Sequence, residues 1–318
     1  MAPRLAALAA GAALAVSLGG TAHASPAPAA DAQGNQAGQL LVSKKGILTV
    51  LRADTGAVVR TYPKAYDGHW SPDGKRIVFS DATNYDGRIG VMNADGSGAT
   101  MLPVPRVEST PDWSPDGKWV TYRACVNEWS PWVCDIYRIK ATAPFGKPIK
   151  ITNATGDPSG LCAGYEADYY GDAQWAPRGP FLAVMHGCYD SWRERRYPEV
   201  INVETGKVVG RGQFAGQEPS WSPDGNWIAW TETSQLDGFG TPCVRISTAD
   251  MKGSYRLTGC NTGDYQTGRW PVWSPDGSRV AWLRGFPTTK MAILTSSAKP
   301  GSPRTLIARG YMPIYDWR

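Results

Sequence analysis

The chain has 318 residues, 33 of them Lys or Arg and 28 Asp or Glu, for a formal net charge of +5. That balance is too weak and too scattered for a nucleic-acid groove, and the longest basic cluster, Arg193-Glu194-Arg195-Arg196, reads as a solvated loop. Past the N-terminus no segment is long and apolar enough to span a bilayer as a helix, so no membrane insertion is expected of the mature chain. In chain order, residues 1–24 read as an export signal: Arg4 supplies the charge, residues 5–18 the apolar stretch, and Ala22-His23-Ala24 a small-residue cleavage site before Ser25. No cysteine stands at that site, which argues against a lipid-anchored form. Residues 25–37 read as a flexible linker. Short alternating runs follow, bounded by Gly, Asp and Asn turns, and such runs predict β-strands. The first are Leu40-Leu41-Val42-Ser43, Ile47-Leu48-Thr49-Val50-Leu51 and Val58-Val59-Arg60-Thr61-Tyr62.

From residue 70 a repeat takes over. The pentapeptide Trp-Ser-Pro-Asp-Gly begins at Trp70, Trp113, Trp221 and Trp273, with a degraded copy at Trp175 and a last anchor at Trp317. The anchors lie 43 to 62 residues apart, a spacing that marks an array of one supersecondary unit. Ser-Pro-Asp-Gly is turn chemistry: proline presets φ and glycine accepts the positive φ that ends the turn. Each unit therefore reads as a four-stranded antiparallel meander, and meanders packed radially bury both their faces. The expected fold is all-β, a six-bladed β-propeller over residues 38–318. Its last blade combines the first three strands with the strand around Trp317, which closes the ring and removes its open edges.

The four in-phase pentapeptides, each followed by an apolar strand such as Trp227-Ile228-Ala229-Trp230, resemble the repeats of TolB-type β-propellers. The resemblance spans residues 38–318 and is specific for fold. Similar repeats serve in binding proteins, in domains attached to peptidases and in some enzymes, so the repeat is unspecific for function; the resemblance to TolB implies protein–protein interaction without assigning a partner. No Gly-x-Ser-x-Gly elbow of the peptidase-type relatives is present. The separate N-terminal domain of TolB is expected to be absent.

Six cysteines in an exported chain imply up to three disulfides. The repeat phase pairs Cys125 with Cys134, Cys162 with Cys188 and Cys243 with Cys260, all on the face of second-to-third-strand loops and blade crossovers. That face also holds the departures from the repeat. Loop aromatics and carboxylates there, namely Trp129, Trp132, Tyr165, Tyr169, Tyr170, Tyr189, Asp190 and Trp192, are the candidate ligand-binding residues, suited to a peptide or to sugar rings. Six of the fourteen tryptophans are repeat anchors, Trp230 and Trp282 take the core position of the second strand, and Trp119 and Trp227 are expected between blades.

Catalytic candidates are few. His69 precedes an anchor and is expected to pack, which leaves His186 with Glu166 and Asp168. Two histidines past the signal and no Cys-x-x-Cys spacing provide for no metal centre and no cofactor. The expected function is a secreted, extracellular, monomeric, non-catalytic scaffold that binds a protein or glycan through the aromatic loop face over blades 2–4. The alternative is an extracellular carbohydrate-active enzyme using the carboxylates or His186 of that same face.

Overall fold

A computed structural model describes residues 38–81, 87–104, 111–125, 133–154, 162, 167–190, 193–233, 242–260, 268–285, 291–311 and 313–318. Among them, 24 strands form six separate four-stranded antiparallel sheets, with no α-helix. Three strands, β1 (Gln39–Lys44), β2 (Ile47–Arg52) and β3 (Val58–Tyr62), open the chain. Blade 1 is β4 (Gly68–Trp70), β5 (Arg76–Ser80), β6 (Ile89–Asn93) and β7 (Thr100–Met101). Blade 2 is β8 (Asp112–Trp113), β9 (Trp119–Cys125), β10 (Cys134–Lys140) and β11 (Ile149–Lys150). Blade 3 is β12 (Ala167–Trp175), β13 (Phe181–Asp190), β14 (Arg193–Asn202) and β15 (Lys207–Arg211). Blade 4 is β16 (Gly216–Trp221), β17 (Trp227–Glu232), β18 (Cys243–Thr248) and β19 (Ser254–Arg256). Blade 5 is β20 (Arg269–Trp273), β21 (Arg279–Arg284), β22 (Ala292–Ser297) and β23 (Thr305–Arg309). The final strand, β24 (Ile314–Trp317), pairs antiparallel with β1, Leu40 opposite Trp317, and completes blade 6. The first strands of successive blades contact one another in a closed cycle, so the blades form a ring whose axis those strands line.

The repeat residues explain both the turn and the ring. In blade 1 the Ser71 hydroxyl donates to Asp73 Oδ1 at 2.6 Å and accepts from the Arg76 amide at 2.9 Å, while Asp73 Oδ1 also accepts from the Lys75 amide. The same Ser–Asp clasp recurs at Ser114–Asp116, Ser222–Asp224 and Ser274–Asp276. Gly74, Gly117, Gly225 and Gly277 all sit at φ of 67–68°, where a Cβ would be strained. The anchor tryptophans of blades 1–5 stitch each of those blades to the one before it. The indoles of Trp113, Trp221 and Trp273 donate to the carbonyls of His69, Gln174 and Ser220. The backbone amides of Trp70, Trp175 and Trp221 donate to the side chains of Asp316, Asp112 and Gln174. Between blades the core is apolar, as where Trp221, Trp230, Ala183, Met185 and Val200 pack together.

Two features differ from the sequence expectation. Residues 167–172 and Tyr189-Asp190 read as loops, yet in blade 3 they extend β12 and β13, with Ala167 opposite Tyr189 and β13 and β14 paired from Phe181 to Asp190. The extension is packed by Tyr169, whose ring lies where a Cβ on Gly187 would approach to 2.1 Å. The second difference is Trp227, which stands at the exposed start of β17 edge-on to Tyr255 of its own blade. Trp119 is half-buried beneath the Arg138 guanidinium.

Candidate functional site

In this meander the tight turns share one face, and the second-to-third-strand loops share the opposite rim with the crossovers. Cys125 ends β9 and is bonded to Cys134, its register partner at the start of β10. Cys188 in β13 is bonded to Cys162 in the crossover before β12. Cys243 begins β18 and is bonded to Cys260 in the crossover after β19. Blades 2, 3 and 4 thus each carry one disulfide at the same rim. Three such bonds belong to an oxidising compartment.

Beneath each disulfide lies a buried ionic group. In blade 2, Asp135 Oδ1 accepts from the Thr152 hydroxyl and the Ala154 amide, both at 2.7 Å, and Oδ2 pairs with Lys150 at 2.6 Å. In blade 3, His186 Nδ1 lies 3.3 Å from Glu199 Oε1 and Nε2 lies 3.5 Å from Asp168 Oδ2. The imidazole stacks on Tyr170 with centroids 4.4 Å apart, and Arg211 donates to Glu199 at 2.6 Å. Burial pushes the Tyr170 hydroxyl up, and the charges of Glu199, Asp168 and Asp135 push it further. In blade 4, Glu232 accepts from Arg245 Nε at 2.8 Å and from Arg256 at 2.9 and 2.7 Å. Burial raises the Glu232 carboxyl, but the two guanidinium partners outweigh it and hold the group below the usual range. Glu232, Cys243 and Cys260 are close enough to hold a cation, but both sulfurs are in the disulfide and the carboxylate is taken by two arginines. That grouping is no metal site.

Of the sequence candidates, Trp129, Trp132, Tyr165, Glu166 and Trp192 lie outside the described residues, as does the Asp190 side chain. The structure brings Asp168, Tyr170 and His186 together in the blade 3 cluster, with Asp168 6% and His186 9% exposed. Tyr169 is buried at 3% exposure, donates to the Glu194 carboxylate and has Arg123 and Arg196 over its ring, so it packs the blade. Tyr189 is half-buried on β13. His69 packs edge-on to Tyr315 with Nδ1 3.8 Å from Asp112.

Toward the axis, β12, β16 and β20 carry bulges at the same place, three residues before the anchor tryptophan. Asp172, Glu218 and Trp270 there adopt positive φ of 41°, 62° and 49°. Bulges of this kind re-aim side chains beside functional openings. Glu218 accepts from the Thr231 hydroxyl and the Trp270 amide, and burial pushes its carboxyl up. Deeper in the ring, Asp112 accepts from the Trp113 and Trp175 amides at 2.8 Å. Burial pushes its carboxyl up to about 6; His69 and the two amides oppose the shift and Asp316 adds to it. A raised carboxyl binds its proton more tightly folded than unfolded, so its stabilising effect is full below about pH 4 and lost as pH rises through about 6. Asp112→Asn cannot ionise. Between pH 4 and 7 the unfolding free energy of the variant relative to the parent is expected to rise by up to about 3 kcal/mol. Urea unfolding across that range checks it.

No family model matches the chain. An uncharacterized protein of Agrobacterium fabrum is 27% identical over 225 residues, covering 68% of this chain and 69% of that one. TolB from Acinetobacter baumannii superposes with a TM-score of 0.60 at 17% identity, over 88% of this chain and 65% of its own. A structure assigned as TolB from Agrobacterium tumefaciens gives 0.59 at 16% identity, over 88% and 91%. The fold is that of the TolB-like propellers. This TolB-like propeller spans less than two thirds of the A. baumannii protein. Its rim clusters also use residues that sequence reading passed over: Asp135, Glu199, Arg211, Arg245 and Arg256. The repeat alignment reaches only His186 and Glu232 of the clusters. The eleventh residue after the anchor, at the end of the second strand, is ionisable in four of five blades: Asp81, His186, Glu232 and Arg284.

Proposed function

We propose that this TolB-like propeller is a secreted, non-catalytic binding scaffold that acts as a monomer outside the cell membrane. Residues 1–24 are its signal, 25–37 its linker and 38–318 its binding domain. Its disulfide-pinned rim over blades 2–4 engages a protein or a glycan at or outside the cell surface. The observation that carries this reading is the placement of one disulfide in each of three adjacent blades, all at the same rim. Pinning loop ends in advance lowers the ordering cost of binding. Asp168 and His186, two of the three candidates of the carbohydrate-enzyme alternative, lie against each other in a buried cluster, which supports binding over hydrolysis.

The test compares the parent with a Trp129→Ala, Trp132→Ala, Trp192→Ala variant in capture from the producing cell's envelope and medium, and on a glycan array. Retention that falls at least about tenfold in the variant is the expected result, the size of one hot-spot loss. Equal capture by both proteins would overturn the aromatic rim.

A further inference from the structure

The crevices between blades are filled differently around the ring: among the described residues a cavity remains between blades 1 and 2, and a smaller one lies beside Tyr62 between blades 6 and 1. Between blades 6 and 1, Tyr62 at the end of β3 crosses the gap and its hydroxyl donates to the Ala94 carbonyl at 2.6 Å. Between blades 4 and 5, Tyr255 of β19 does the same to the Ala298 carbonyl, also at 2.6 Å. Ala94 and Ala298 are equivalent residues. Each directly follows the third strand of its blade, and each donates its own amide back to the first tight turn, to Lys75 and Ser278. Ala141 is their counterpart in blade 2, following β10 and donating to the Lys118 carbonyl.

Among the described residues no tyrosine hydroxyl donates to Ala141. On β7, Thr100 stands opposite Val91 of β6 just as Tyr255 on β19 stands opposite Ile246 of β18, so a threonine holds the place of Tyr255, while Leu102, opposite Ile89, holds that of Tyr62, opposite Leu48. The result is a cavity of about 290 Å³ between blades 1 and 2, walled by Arg76, Met92, Thr100, Leu102, Ala141 and Phe145. An apolar cavity of roughly 150 Å³ is large enough to take a benzene ring. The wall also provides a ring partner. Trp227, the first residue of β17, meets Tyr255 edge-on at 6.2 Å, and Arg76 is the first residue of β5 at the corresponding position. The Arg76 guanidinium already lies over the Trp113 ring, 4.6 Å from its centre, and a guanidinium at that point suits the face of an aromatic ring. Thr100 and Thr142 at the mouth are exposed.

We infer that this crevice is a binding site for a phenol ring, and that its occupant is a tyrosine side chain of a partner polypeptide. The bound ring lies beside Arg76, Met92 and Leu102, and its hydroxyl donates to the Ala141 carbonyl, as Tyr62 and Tyr255 donate to Ala94 and Ala298. A tyrosine is the occupant because the chain itself crosses two of the equivalent gaps with tyrosines presented by an extended strand. The site lies at the outer strands, away from the disulfide-pinned rim, and does not depend on the rim reading.

The test titrates the full chain with p-cresol, with toluene, and with the capped tripeptides acetyl-Gly-Tyr-Gly-amide and acetyl-Gly-Phe-Gly-amide, followed by amide chemical shifts. The expected result is saturable shifts centred on Thr100, Met92 and Ala141, with p-cresol tighter than toluene by up to about tenfold, the worth of one hydrogen bond. The tyrosine peptide competes with p-cresol and outdoes the phenylalanine peptide. Thr100→Tyr and Thr100→Phe, which fill the crevice from within, abolish the shifts. Equal affinity for toluene and p-cresol would overturn the hydrogen bond to Ala141. Unchanged binding by folded Thr100 variants would overturn the site. A tyrosine peptide that fails to compete would overturn the polypeptide as occupant. Should both variants fail to fold, the comparison of probes on the parent chain still decides.

Discussion

Glu232→Ala is expected to lower the unfolding free energy by about 3–5 kcal/mol, the cost of leaving a buried charge without its partner. Glu232 is 2% exposed and holds Arg245 from β18 and Arg256 from β19 through three charged hydrogen bonds. Truncation strands Arg245, which is itself buried and whose guanidinium lies 3.9 Å from the centre of the Phe214 ring. It cannot turn outward to water without unpacking that contact. Arg256 is half-exposed and can rehydrate, so Arg256→Ala should cost no more than about 1 kcal/mol. Chemical denaturation of both variants with the disulfides intact measures the contrast. Equal losses would show that the carboxylate matters through Arg256 alone.

Trp230→Ala is expected to cost about 3–5 kcal/mol, while Trp227→Ala, three residues earlier on the same strand, should cost about 1 kcal/mol or less. Trp230 is 1% exposed, donates its indole N–H to Ser247 at 3.0 Å and fills the space over Gly216, where a Cβ would come within 2.3 Å of the ring. Trp227 is 36% exposed and touches Tyr255 at an edge. Removing the first leaves a cavity between blades 3 and 4 that the surrounding strands cannot close. Removing the second returns surface to water. Thermal and urea unfolding of the pair separate the two cases, and similar losses would contradict the assignment of Trp230 as the blade core.

The fold was legible because its instructions are local and repeated. Ser71, Asp73 and Gly74 make a turn with their own side chains and φ, and the same bonds recur wherever the pentapeptide does. The ring closure was legible too, since the strands before Trp70 lack an anchor of their own and Trp317 supplies one. The extension of blade 3 was hidden for a physical reason. Polar residues such as Asp190 and Arg193 interrupt the apolar alternation there, and the strands are held instead by Tyr169 packed across the chain on Gly187. The ionic clusters were half legible. His186 and Glu232 could be aligned by distance from the anchor, but their partners Glu199, Arg211, Arg245 and Arg256 come from neighbouring strands through register, which periodicity does not flag. The open crevice was not legible at all. It depends on Thr100 occupying a ring's place across a gap, and a threonine on an outer strand is otherwise ordinary.

The most direct test of the rim as the binding face is photo-cross-linking in the producing cells. A benzophenone side chain would replace Tyr189 or Thr233 on the rim, or Lys118 or Asn226 at the tight turns, and the adducts would be identified by mass spectrometry. Adducts with a partner from the rim positions alone are the predicted result. Adducts from the turn positions with none from the rim would contradict the account.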